Sequence, residues 1–244
     1  LLTLATLQVS LVPHAMAGPP LVIDDPGILE PGSWEVILAV SGLDFDDSQV
    51  TQAPLLDVSY GLTSNTQLSF SLPRVDIDTQ HGKSKAGLDF AMLGYKWHFA
   101  ANSNWEWAIA ANYFFLVSHE LIRANGPEDI RTLGLPLLVS HSHGDWTWLG
   151  QVGWNTGSNG RSFWDYGVAV SHPWGDSVTW MMEAYGIAAS SFNHQTLNYQ
   201  LGLDIEMRPG LHLLAAAGSR IKTDSNLGEG LNFNYYAGLQ WFPR

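Results

Sequence analysis

From residue 33 to the end of the chain, apolar and polar positions alternate with a period of two in twelve separate stretches. The clearest is 197–208, Leu-Asn-Tyr-Gln-Leu-Gly-Leu-Asp-Ile-Glu-Met-Arg, with apolar odd positions and polar, charged or glycine even ones. Side chains on a β-strand alternate between two faces, so one face here is continuous hydrocarbon and the other carries Asp204, Glu206 and Arg208. The same pattern predicts strands at 33–42, 52–60, 66–75, 87–99, 105–117, 130–141, 146–155, 162–172, 178–190, 197–208, 211–221 and 231–242. Two of these are irregular. Asp89 and Phe99 share parity in 87–99, so a bulge is expected there, and 211–221 contains the weakly patterned Leu213-Leu214-Ala215-Ala216-Ala217.

The connections alternate in length. Short ones fall at 61–65, 100–104, 142–145, 173–177 and 209–210, and longer ones at 43–51, 76–86, 118–129, 156–161, 191–196 and 222–230. An even number of strands, each near the roughly 9–11 residues that cross a bilayer at a tilt, with short turns at one end only, predicts a bacterial outer-membrane barrel. Tryptophan placement separates this from a soluble sandwich. Trp34, Trp97, Trp105, Trp107, Trp146, Trp148, Trp174, Trp180 and Trp241 fall near the short-turn end, and Trp154 and Trp164 flank a long loop at the other. Indoles concentrate where a membrane meets water. The expected fold class is all-β: a single antiparallel transmembrane barrel of about 12 strands with both termini periplasmic.

Composition and the N-terminus narrow the location. Residues 1–12 are an uncharged apolar run, followed by Pro13-His14-Ala15-Met16-Ala17-Gly18. This reads as a secretory signal peptide over 1–17, truncated at its start and cleaved after Ala17. Residues 18–32, rich in Pro and Gly and carrying Asp24, Asp25 and Glu30, are expected to be a periplasmic lead-in, with the barrel over 33–244. The net charge of −12 leaves no basic stripe for nucleic acid, and zero Cys excludes disulfides. No apolar run long enough for a membrane-spanning helix follows the N-terminus.

The motifs Gly18-Pro-Pro-Leu-Val-Ile-Asp-Asp-Pro-Gly27, Glu30-Pro-Gly-Ser-Trp-Glu35, Tyr60-Gly-Leu-Thr63, Gln151-Val-Gly-Trp-Asn155, Glu183-Ala-Tyr-Gly186 and Tyr236-Ala-Gly-Leu239 carry a resemblance. Together they resemble the outer-membrane family named after the MetA pathway of phenol degradation, over nearly all of the chain after residue 17. The resemblance implies a barrel with a transport role and carries over no settled functional residues. Its partners would be outer-membrane lipid, lipopolysaccharide, the barrel assembly machinery and a small-molecule solute. The chain departs from the usual terminal aromatic of such barrels, because Phe242 is followed by Pro243-Arg244.

Three constellations have the residue types for other chemistry. Asn155-Thr-Gly-Ser-Asn-Gly-Arg-Ser162 resembles the His-x-Ser-Asn-Gly segment of outer-membrane phospholipase, with Ser158 at the nucleophile position and Thr156 where the His belongs. A serine without an adjacent base is not activated, although His119 and His194 lie in loops on the same side. His141-Ser-His143-Gly-Asp145 resembles a zinc motif whose last His is replaced by Trp146, in what reads as a hairpin turn. Asp44-Phe-Asp-Asp47 offers carboxylates to a divalent ion but equally suits a solvated loop. No enzyme activity, metal or cofactor is expected.

The alternation assigns an inward face carrying Glu35, Asp57, Glu106, Asp165, Glu183, Asp204 and Glu206 against Lys96 and Arg208, with His98 and His212. These acids outnumber the cations, so water is expected in part of the lumen. Ile37, Phe114, Leu149, Met181, Tyr185, Ile187 and Leu214 share this face. The pore-lining candidates are therefore Glu35, Asp57, Lys96, His98, Glu106, Asp165, Glu183, Tyr185, Asp204, Glu206 and Arg208. Passive movement of small aromatic or amphipathic molecules is the expected function, with Glu183 foremost in favouring cations by its field. The alternatives are a closed structural or binding barrel of the envelope and, below it, a lipid esterase using Ser158.

Overall fold

Among the described residues, thirteen strand segments run in antiparallel order: β1 (Trp34–Phe45), β2 (Ser48–Thr63), β3 (Thr66–Thr79), β4 (Lys85–Leu88), β5 (Phe90–Ala101), β6 (Trp105–Leu116), β7 (Thr132–His143), β8 (Trp146–Gly157), β9 (Ser162–Pro173), β10 (Val178–Ala189), β11 (Leu197–Arg208), β12 (Leu211–Lys222) and β13 (Leu231–Trp241). The computed structural model describes residues 18–79, 84–88, 90–117, 131–222 and 231–243. The expected signal peptide, His119 and Asp89 lie outside them. Strands that follow one another pair, except that β4 and β5 both pair with β3, and β1 pairs with β13, so the sheet closes on itself. Segments β4 and β5 both pair with β3 and together form one stave, which makes a closed barrel of twelve.

The irregular fourth stave has the bulge its parity called for. Ser71 pairs with Met92 in β5, but Arg74 pairs with Leu88 in β4, a slip of one residue. The slip reverses parity, so Leu88 and Leu93, of opposite parity, are both on the outer face. A second irregularity lies at Ala53-Pro54 of β2, where the register shifts against β1 and β3. Proline has no N–H to give a ladder, which confines it to such sites. Residues 211–222, despite their weak pattern, form a full strand. The first connection differs most from expectation: β1 and β2 continue toward each other and leave only Asp46-Asp47 between them, and strand also extends into the expected 76–86 connection, to Thr79 and from Lys85, and into the expected 156–161 connection, to Gly157.

The outer wall is the apolar one. Along β11, Leu201 is 56% exposed and Leu203 and Met207 are also open, whereas Gln200 is 1% exposed and Asp204 is buried. A continuous apolar surface around a whole barrel is far larger than water tolerates, and it matches the hydrocarbon of a bilayer. Aromatic side chains border this band. At the short-turn end Trp34 packs on Tyr60 at 4.6 Å, Trp105 on Trp107 at 6.1 Å and Trp146 edge-on to Trp180 at 5.6 Å. Trp97, Trp148 and Trp241 are exposed on the same rim. At the opposite end Trp154 meets Trp164 edge-on at 4.8 Å, and Phe192 stacks on Trp164 at 5.8 Å.

Candidate functional site

Residues 18–32 run inside the barrel and not beside it. The chain enters at the short-turn end, where the N–H of Gly32 donates to the Gly61 carbonyl and the N–H of Gly61 to the Ser33 carbonyl. It then crosses the lumen. The Leu29 N–H donates to Gln67 Oε1 on β3 at 2.9 Å, and Lys96 Nζ on β5 donates to Asp24 Oδ1 and to the carbonyls of Asp25 and Gly27. Farther across, the Asp24 N–H donates to Gln151 Oε1 on β8, the N–H groups of Val22 and Ile23 to the two oxygens of Glu183 on β10, and Gln200 Nε2 on β11 to the Pro20 carbonyl. Lys96, Gln151 and Glu183 each sit five positions in from the short-turn end of their strands, so the segment spans the barrel near mid-depth.

The sequence explains why this segment needs the wall. An extended Pro/Gly-rich stretch makes no ladder of its own, and buried backbone N–H and C=O groups must find partners. Inward glutamines, one carboxylate and one ammonium supply them. Leu21 and Ile23 add an apolar contact, packed with Leu149, Ala169 and Met181 and bordered by Tyr185. Glycines make room: a Cβ on Gly167 would collide with Ile23, one on Gly61 with the backbone of Leu29 and Glu30, and one on Gly202 would stand 3.2 Å from Pro20.

These contacts revise the roles expected of the inward charges. Glu183, 2% exposed, is consumed by two backbone N–H groups and projects no free carboxylate into a pore. Lys96 is likewise spent on the segment. Asp165 accepts from Gln151 and Asn155, both at 2.5 Å, and Asp204 lies 2.8 Å from His212 Nδ1. Glu106 stands 3.7 Å from His98. Glu206 and Arg208 are exposed beside the turn that joins β11 to β12 and do not line the cavity. Glu35 and Asp57 do line it, and their hydrogen bonds come from neutral side chains, Gln240 and Ser71. The expected mismatch of acids and bases is thus met largely by amides, hydroxyls and backbone N–H groups.

What the segment does not fill is a continuous cavity of about 1600 Å³. Its walls include His98, Glu106, His212 and Phe242 at the short-turn end and Leu43, Phe45 and Leu231 at the other. Both halves are mixed: Phe90, Met92 and Phe114 line the half nearer the long loops together with Asn112, Asn155, Asp165 and Asn198, and Glu35, Asp57, His98, Glu106 and Asp204 line the half nearer the short turns together with Trp34 and Phe242. Tyr185 borders the space from β10. The amides Gln67, Gln151, Asn155, Asn198, Gln200, Asn234 and Gln240 were not singled out from the sequence. Their inward parity was the available signal, but charge drew attention away from them.

The other motifs have structural occupations. Ser158 Oγ accepts the Arg131 N–H at 3.1 Å, and the Ser158 N–H donates to the Arg131 carbonyl. His141 stacks on Trp105 at 4.3 Å, and Gly144 takes the left-handed conformation of a two-residue hairpin turn after His143. Asp46 of the acidic cluster pairs with Arg220 at 3.3 Å.

No protein-family model matches the sequence, and no curated protein is similar to it. Solved structures are similar in fold. An outer membrane channel from Pseudomonas putida F1 superposes with a TM-score of 0.72 at 12% identity, over 91% of this chain and 100% of the channel. The NanC porin gives 0.62 at 11% identity over 86% of this chain and 100% of its own. The KdgM porin gives 0.57 at 10% identity, over 84% and 98%. At these identities the likeness is one of architecture: the chain has the closed antiparallel barrel that those channels and porins have.

Proposed function

We propose that the protein is an outer-membrane channel through which small solutes pass passively along the part of the lumen that residues 18–32 leave open. The observation that carries this reading is the cavity of about 1600 Å³ whose walls reach both ends of the barrel. The likeness in fold to a channel and to porins supports it. The apolar band with its aromatic borders suits residence among outer-membrane lipid and lipopolysaccharide, and insertion would fall to the barrel assembly machinery. Aromatic or amphipathic solutes are the class that a lining mixing Phe90, Met92 and Phe114 with inward amides and carboxylates would suit. No covalent step is assigned to the protein, and Ser158 serves to tie two loop ends together.

Purified protein in a planar bilayer tests the reading. Discrete conductance steps, with solute entry into reconstituted vesicles, are the expected result. A silent bilayer with no entry would sink it and leave the second reading, a closed binding barrel. That alternative has one observation in its favour: the segment is held across mid-lumen by partners on β3, β5, β8, β10 and β11. Deleting residues 18–32 separates the two, since conductance that appears only after the deletion identifies a barrel closed by its own segment.

A further inference from the structure

Trp154 and Trp164 stand apart from the indoles of the short-turn rim. They are register partners on β8 and β9, on the parity of the exposed Val152 and Val168, and so face outward near the long loops. Their rings meet edge-on at 4.8 Å, and Phe192, from the loop after β10, stacks on Trp164 at 5.8 Å. Phe192 has a φ of 57°, and no other non-glycine residue among those described has a positive φ. A bulky side chain in the left-handed region is strained, and strain of this kind gathers where a site imposes it. Here it holds the ring 54% exposed beside Trp164. Two arginines border the same patch. The Ser158 N–H donates to the Arg131 carbonyl, Ser158 Oγ accepts the Arg131 N–H at 3.1 Å, and the Gly157 N–H donates to the Arg161 carbonyl at 2.8 Å. Both side chains are exposed. Arg131 leads into β7 and Arg161 into β9, one strand apart on either side of β8, which sets their backbones roughly 10 Å from each other. Among the described residues the acid at this end of β7 to β10 is Asp165, which faces inward and is bound by Gln151 and Asn155.

Guanidinium groups match phosphate with paired N–H donors, and indole rings seat where headgroups meet acyl chains. We propose that this stretch of the rim is a binding site for the phosphorylated disaccharide of lipopolysaccharide. Arg131 and Arg161 each take one of its two phosphates, and Trp154, Trp164 and Phe192 take the sugar and the first methylenes of its chains. The fixed loop between the arginines keeps the two charges apart by about the span of a disaccharide. A phospholipid brings one phosphate and fills half of such a site. The proposal concerns the outside of the wall, so it stands independently of the channel reading. It rests on the long loops facing the cell exterior.

Native mass spectrometry of the full-length protein in dodecyl maltoside micelles tests it, with diphosphoryl lipid A, monophosphoryl lipid A and phosphatidylglycerol as probes. EDTA keeps metal bridges to carboxylates such as Asp46 out of the measurement. Diphosphoryl lipid A is expected to bind about tenfold more tightly than the monophosphoryl form, with phosphatidylglycerol weaker still. Arg131→Ala and Arg161→Ala are each expected to abolish that tenfold advantage, and Phe192→Ala to weaken binding severalfold. Arg208→Ala, at the opposite rim, should leave it unchanged. Each variant is checked for the gel shift on boiling that marks a folded barrel. Equal affinity for the three lipids, an advantage that survives both arginine substitutions, or an equal loss in Arg208→Ala overturns the site. Orientation has its own readout: Asn193→Cys should react with a polyethylene-glycol maleimide on intact cells. Labelling only after the cells are broken overturns the site and leaves the conductance prediction standing.

Discussion

Lys96 Nζ donates to Asp24 Oδ1 across 2.9 Å, joining β5 to a segment 72 residues earlier in the chain. The ammonium is buried and is shared with the carbonyls of Asp25 and Gly27, so one side chain holds a whole turn of the lumen segment. Hydrogen bonds to a charged group contribute roughly 1.5–3 kcal/mol each, more than a neutral bond in the same place. Lys96→Met is therefore expected to free residues 24–27, raising open-state conductance severalfold and exposing the segment to added protease. Conductance and cleavage matching the parent would show that the contacts at Glu183 and Gln200 suffice.

Glu183 behaves as an anchor and not as a selectivity charge. In Glu183→Gln one oxygen remains to accept a backbone N–H and the other becomes a donor facing Val22 or Ile23. The expected outcome is an unchanged reversal potential in a salt gradient, with noisier current as the segment loosens. A clear loss of cation preference would return the residue to the ion path.

Gly167 and Gly202 are spaces cut for the segment. A Cβ at Gly167 meets Ile23, and one at Gly202 meets Pro20 and Leu21. Gly167→Val should leave the barrel intact, since β-branched residues suit strands, while displacing residues 20–23. Hydrogen exchange at the Val22 and Ile23 amides reads the displacement directly, and protection equal to the parent's would contradict it.

The two faces of β11 give a test of the lipid-facing assignment. Leu201, exposed and near mid-strand, faces outward, and its neighbour Gln200 faces in. Leu201→Arg is expected to destabilise the barrel by about 2–4 kcal/mol in urea titrations from lipid vesicles, the cost of a cation at the bilayer midplane. Little or no loss would mean that this stretch does not face hydrocarbon.

The strand pattern was legible because a period of two is a local property: Leu197–Arg208 appears with the boundaries that its own alternation predicts. The irregularity of the fourth stave was legible for the same reason, as a change of parity along it that appears as a one-residue slip between the pairs Arg74–Leu88 and Ser71–Met92. The shortness of the first connection was not. Asp44 and Phe45 join the ladder because β13 offers Phe233 and Leu231 to pair with, a long-range contact that acidic local composition conceals.

The sequence by itself determined that a closed barrel turns its hydrocarbon outward and gathers most of its indoles at one rim, with Trp154 and Trp164 at the other. Each follows from which side chains share a strand face and from where turns fall. Only the tertiary structure decided what the inward face does. Inward parity is the same for Glu183 and Glu35, yet one accepts two backbone N–H groups from residues 22 and 23 while the other lines open space beside Gln240. Charge, polarity and period cannot separate them, because the difference arises from a segment about 160 positions away that must satisfy its own backbone and finds its partners only when the barrel has closed around it.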